Sequence, residues 1–173
     1  FRYAEMRDKV GPYYWPVSFM GFHFFPTVLV FLGSLSIHRA VAAGTNGFGI
    51  IDGLALLVTA GAIVIESISD RQLHRFIASK PAPGAICKEG LWAYSRHPNY
   101  FGEVSFWWGL WLFAVAADPS SLWWTAVGPL SMTALFVFVS LPLIDRRMLK
   151  RRRGYEEHMK RVSALVPWFP RNS

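Results

Sequence analysis

The run Gly90-Leu91-Trp92-Ala93-Tyr94-Ser95-Arg96-His97-Pro98-Asn99-Tyr100-Phe101-Gly102-Glu103 gathers a guanidinium, an imidazole, an amide, two phenols and a carboxylate where an apolar stretch begins. Arg96 offers a planar donor fork suited to phosphate or carboxylate. Pro98 fits the first position of a helix, and the free backbone N–H groups there favour an anion. Asn99 donates and accepts at once, as a group that reads an amide or a base edge must. Gly102 permits close approach of another backbone or a ligand, and Glu103 follows it into the apolar region. The plainer account of these residues is an interfacial belt, with Trp92, Tyr94 and Tyr100 at headgroup level and Arg96 snorkelling. That account leaves Asn99 and Glu103 together unexplained.

Glu66 and Asp70 stand four apart and share a helix face. Like charges at that spacing repel and call for a cation or hydrogen-bond donors nearby. They either reach the interface and pair with Arg71 or Arg75, or form the floor of a polar site. The remaining candidates are weaker. His23 and His38 lack partners at metal-ligand spacing, so no metal is expected. Cys87 stands in a polar stretch without a second cysteine or an evident base, which argues against a catalytic thiol. No P-loop, dinucleotide-binding GxGxxG or GxSxG element occurs. The clusters Trp107-Trp108 with Trp111, and Trp123-Trp124, read as packing and an aromatic belt.

The elements that must carry these residues are apolar helices. Of 173 residues, 53% are hydrophobic and 17% charged, against about 25% charged in soluble domains. A soluble enzyme, a disordered chain and a coiled coil all fit poorly. Four stretches are long enough to cross a bilayer: Pro16 to Ile37, Phe48 to Ile68, the short Tyr100 to Ala117, and Pro119 to Ile144, which contains Pro129 and Pro142 and should bend. Turn-forming Ala42 to Gly47 and Ala117 to Ser121 alternate with a long polar loop, 69–99, and a basic tail, 145–173. Of the 18 Lys and Arg, only Arg39 lies outside the N-terminal segment, that loop and that tail. This is a strong positive-inside pattern and predicts a cytoplasmic basic face. Topology and lipid contact account for the net charge of +7, so nucleic acid is not an expected partner. The expected fold is a single all-α membrane domain over 1–173, about four crossings plus a cytoplasmic C-terminal amphipathic helix, in a bacterial inner membrane. With Phe at position 1, the chain is expected to be the C-terminal part of a longer one.

Ser69-Asp70, Lys80-Pro81-Ala82-Pro83-Gly84 and the Gly90–Glu103 run together resemble the steroid 5-alpha-reductase family, in particular its bacterial branch of small membrane proteins. The ending Tyr155-Glu156-Glu157-His158 through Ser163-Ala164-Leu165-Val166-Pro167-Trp168-Phe169-Pro170 resembles that branch too. The resemblance implies a helical membrane bundle that reduces an enone C=C bond of a steroid- or lipid-like substrate with NADPH bound from the cytosolic side. Carried over, Asp70, Arg96, His97, Asn99, Tyr100 and Glu103 would line the cofactor site, and Arg147, Tyr155 and His158 would close over it. Where the family places an Asn shortly before the Ser-Asp pair, this chain has Glu66, a candidate floor for substrate or cofactor. The family's substrate-polarising Glu and Tyr lie on earlier spans that this chain is expected to lack. The rival class is the isoprenylcysteine and phospholipid methyltransferases, which share an Arg-His-Pro-x-Tyr element and bind S-adenosylmethionine. They typically do not follow the Gly with Glu, so Gly102-Glu103 tilts the expectation to the reductase. A non-enzymatic lipid-binding bundle is the third class.

Overall fold

Long uninterrupted runs of Leu, Ile, Val, Ala and Phe have no water-exposed way to satisfy their backbone except as helices. The computed structural model describes residues 7, 10–43 and 47–171, the side chain of Phe22 excepted, and among these no strand occurs. The helices are α1 (Gly11–Ala43), α2 (Ile50–Ala78), α3 (Pro98–Ala117), α4 (Pro119–Arg151) and α5 (Tyr155–Arg161). Three of them, α1, α2 and α4, are long and apolar enough to cross a membrane. The expected fourth, α3, is a 20-residue helix but is not among these; Asn99, Glu103 and its three tryptophans dilute its hydropathy. Residues 44–46 of the expected turn 42–47, and the N-terminal cations Arg2 and Lys9, lie outside the described residues.

The expected loop 69–99 is shorter in the structure. α2 runs on to Ala78, because no Gly or Pro interrupts the sequence before Pro81 and the segment is rich in helix formers. α3 already starts at Pro98, so the loop proper is 79–97. The expected tail 145–173 begins inside α4, which ends at Arg151. Gly154, at φ +78°, supplies the left-handed turn from which α5 starts.

Glycines set the spacing of the bundle. A Cβ on Gly102 of α3 would lie 2.9 Å from the Ala62 carbonyl oxygen and 2.9 Å from the Glu66 Cβ of α2. Gly109 lies in the same way against Thr59, and Gly128 of α4 against the Leu32 carbonyl and Gly33 of α1. Small residues at helix contacts are how bundles pack where water supplies no driving force between helices. The tryptophans of α3 satisfy their indole N–H groups within the bundle: Trp107 donates to Glu103 at 3.0 Å, Trp108 to Thr133 Oγ1 at 3.1 Å and Trp111 to the Leu122 carbonyl at 3.2 Å.

The prolines are accommodated locally. Pro142 follows a π-helical stretch, Leu135–Ser140, and Pro26 follows another, Phe19–Phe24. In each case the residue four before the proline, whose carbonyl the ring would strike, falls in the widened stretch. Pro129 leaves the Thr125 carbonyl without its helical donor, and Ser36 Oγ of α1 donates to that oxygen at 3.4 Å. At the far end of the bundle Arg39 of α1 clasps Asp118, Nε donating to Oδ2 at 2.8 Å and Nη2 to the same oxygen.

Candidate functional site

The loop before α3 is pinned to the end of α2. Gly90 takes φ +57°, and Gln72 occupies the space a side chain there would need; the Gln72 Oε1 accepts from the Leu91 N–H at 2.9 Å. Trp92 donates from Nε1 to the Ser69 carbonyl at 3.0 Å. The C-terminal segment then crosses over residues 94–96. Arg96 N donates to the Ser163 carbonyl at 2.9 Å, Ser95 Oγ to the Leu165 carbonyl at 2.7 Å, and Trp168 N to the Tyr94 carbonyl at 3.0 Å. Ser95 Oγ also accepts from the His97 N–H at 3.1 Å. Arg96 and His97 are thus fixed from both sides before α3 begins.

Their common partner is Asp145, in the last part of α4. It forms an ion pair with Arg96 Nη2 at 3.1 Å and accepts from His97 Nε2 at 3.2 Å and from the Tyr155 hydroxyl of α5 at 2.6 Å. Arg96 and Asp145 are each only 8% exposed. Asp145 takes one guanidinium nitrogen; Arg96 Nε and Nη1 are buried with no hydrogen-bond partner. A buried donor without an acceptor costs about 1–3 kcal/mol, a cost that an acceptor brought to these nitrogens would relieve.

A cavity of about 220 Å³ opens beside this cluster. Arg96, His97, Asn99 and Tyr100 line it from the loop and α3; Met148, Arg152, Tyr155 and His158 line it from α4 and α5. Leu73, Ile86, Cys87 and Trp92 complete an apolar side. The His97 ring stacks on Tyr100 with centroids 5.6 Å apart. Burial and the cations Lys88 and Arg96 push the His158 imidazole below its ordinary range, so it is neutral near pH 7. Burial and the Asp145 carboxylate push the Tyr155 phenol up, which keeps it a protonated donor. Burial also raises the Cys87 thiol, the opposite of what a nucleophile requires.

Six of the sequence-predicted residues, Arg96, His97, Asn99, Tyr100, Tyr155 and His158, therefore line one cavity. Asp70 stands one bond behind it, accepting from Asn99 Nδ2 at 3.2 Å. No ion pair joins Arg71 or Arg75 to Glu66 or Asp70 among the described residues. Glu66 lies on α2 against Gly102, Glu103 is engaged by Trp107, and Arg147 is exposed; none of these three lines the cavity. The sequence reading misses Asp145 and Arg152. Asp145 carried a signal, as the first ionisable group after the uncharged stretch ending at Ile144. Among the described residues no group of His, Cys, Asp and Glu is arranged to hold a metal.

An uncharacterized protein of Schizosaccharomyces pombe, C594.04c, is 24% identical over 187 residues, which cover 96% of this chain and 54% of that protein. The chain thus spans about half the length of the curated relative it matches. No solved structure matches it significantly. Residues 1–162 match the family described as protein of unknown function (DUF1295), and with that much of its length covered the chain belongs to the DUF1295 family.

Proposed function

We propose that this protein is an NADPH-dependent membrane reductase of an enone C=C bond in a steroid- or lipid-like substrate. The observation that carries the reading is Arg96, buried at the cavity wall with two guanidinium nitrogens unbonded. The donor set fits the cofactor: a fixed cation for phosphate, the Asn99 amide for a carboxamide, and the neutral His158 and protonated Tyr155 as uncharged polar partners. Bound NADPH would supply the hydride. Arg96 would hold its phosphate, Asn99 would orient an amide group, and Tyr100 with Trp92 would keep water from that side. Asp145 fixes Arg96, His97 and Tyr155 in place. The groups that polarise the enone belong, in this reading, to segments outside residues 1–173. Glu103 lends no support, because it does not reach the cavity. We place α3 as a fourth crossing, in a bacterial inner membrane, with loop 79–97 and the C-terminus cytoplasmic. The charge asymmetry supports this orientation.

One observation favours a second reading. A cavity of about 220 Å³ is below the usual ligand range of about 300–1,000 Å³, and S-adenosylmethionine would leave less of itself outside than NADPH. Methyl transfer on an isoprenylcysteine or phospholipid is therefore the alternative. Titration of the purified full-length protein with each cofactor separates the two. Saturable NADPH binding is expected, weakened by about 1–3 kcal/mol in Arg96→Lys, which keeps the charge but loses the fork, and in Asn99→Asp. Saturable binding of S-adenosylmethionine alone would overturn the reductase.

A further inference from the structure

Arg96 also lines a second cavity, of about 330 Å³, on the side of the C-terminal segment. Around it stand Lys160 and Arg161 from the end of α5, then Ser163, Trp168 and Arg171. No acidic residue lines it. Glu156 and Glu157 meet Lys160 and Arg161 along the exposed face of α5, at 3.3 and 3.0 Å. The cavity is built rather than incidental: Ser95 pairs with Ser163 in an isolated parallel bridge, and Arg171 N donates to the Arg161 carbonyl at 3.0 Å, closing the segment into a loop.

Cations placed only for topology remain solvated. Arg96 is not: it is 8% exposed, with Nε and Nη1 unbonded. Lys160 and Arg161, from the end of α5, and Arg171, from the segment after it, line the same space. A carboxylate offers two oxygens in a plane, whereas a phosphate offers three in a tetrahedral array and can meet donors from several sides. At the cavity rim Trp168 is 69% and Phe169 76% exposed; Trp is an amphipathic ring of the kind that sits at a bilayer interface, and Phe adds apolar surface beside it.

We propose that this second cavity is a phosphate-binding site, its phosphate carried either by an anionic phospholipid headgroup or by a soluble phosphate ester. The site shares Arg96 with the cavity assigned to the nicotinamide cofactor, but Lys160, Arg161 and Arg171 line this cavity alone, and substitutions at Lys160 and Arg171 therefore test it apart from that assignment. The test uses the full chain in nanodiscs and compares the parent with Lys160→Gln/Arg171→Gln, both exposed positions, and with Lys150→Gln, an exposed cation outside both cavities. One arm replaces phosphatidylcholine with phosphatidic acid; the other adds inorganic phosphate or pyrophosphate to phosphatidylcholine discs. Thermal stabilisation by phosphatidic acid alone identifies the lipid source, and stabilisation by the soluble anions identifies the ester. In either case the double substitution should weaken the apparent affinity about tenfold, and Lys150→Gln should not. Absence of stabilisation in both arms, an undiminished response in the double variant, or an equal loss in Lys150→Gln overturns the site.

Discussion

At the scale of single residues, one carboxylate organises the site. Asp145 receives a guanidinium, an imidazole and a phenol, so its substitutions should be graded. Asp145→Asn keeps the shape but leaves buried Arg96 without its counter-charge, a loss of about 3–5 kcal/mol for a buried pair broken on one side. Tyr155→Phe removes one of three donors and should cost about 1 kcal/mol. Denaturant-induced unfolding in mixed micelles measures both, and equal small effects would show that the cluster is not a unit. His158 adds a pH dependence. Its folded pKa lies below the ordinary 6.5, so the unfolded chain binds the proton more readily. Its contribution is therefore fully present above pH 6.5 and is lost as pH falls through the folded value. Melting temperatures between pH 7.5 and pH 5 should fall less in His158→Gln than in the parent; parallel slopes would exclude His158 as a source of the acid sensitivity. Arg96, Asn99 and Tyr100 were legible because their types and spacing within one short run already spell anion and amide recognition. Asp145 was not, because only the fold brings residues 48 positions apart in sequence into contact.

At the scale of elements, the close approach of α3 to α2 is what sets His97, Asn99 and Tyr100 at the cavity. Gly102 was readable as a site of close approach, but nothing local in the sequence names α2 as the element approached. A side chain there meets a backbone carbonyl that cannot turn away. Gly102→Leu should therefore destabilise by about 1–3 kcal/mol and displace Asn99 from Asp70, which would also weaken the proposed NADPH binding. Gly61→Ala is the matched control, since nothing lies within 4 Å of the added Cβ and helix propensity improves. Unfolding curves for the pair should move in opposite directions; a loss in both would point to general intolerance of the bundle. The apolar pattern revealed that these helices exist. It placed their ends less well, because the polar turns of α2 beyond Ile68 have helical propensity without hydropathy.

At the scale of the whole molecule, two polar contacts at the opposite ends of α3 bear on whether it crosses the membrane. At its start Asn99 bonds Asp70 near the end of α2; just past its end Asp118 bonds Arg39 near the end of α1. Twenty residues of helix span about 30 Å, the thickness of the hydrocarbon core. The contacts therefore tie the start of α3 to the end of α2 and the residue after α3 to the end of α1. The Arg39–Asp118 pair also accounts for the lone cation outside the basic face: it is matched where it stands, and hydrogen bonds from Ser120 and Arg39 hold the Asp118 carboxyl below its usual range. If α3 crosses, Ser79 after α2 and Ser120 after α3 lie on opposite sides; if it does not, they share one. Both are exposed. Single Ser79→Cys and Ser120→Cys variants, in a Cys87→Ser background, can be probed in intact cells with a membrane-impermeant maleimide. Only the cysteine at 120 should react before permeabilisation and both after it. Matching reactivity at the two positions before permeabilisation would place α3 on one side of the membrane and leave three crossings.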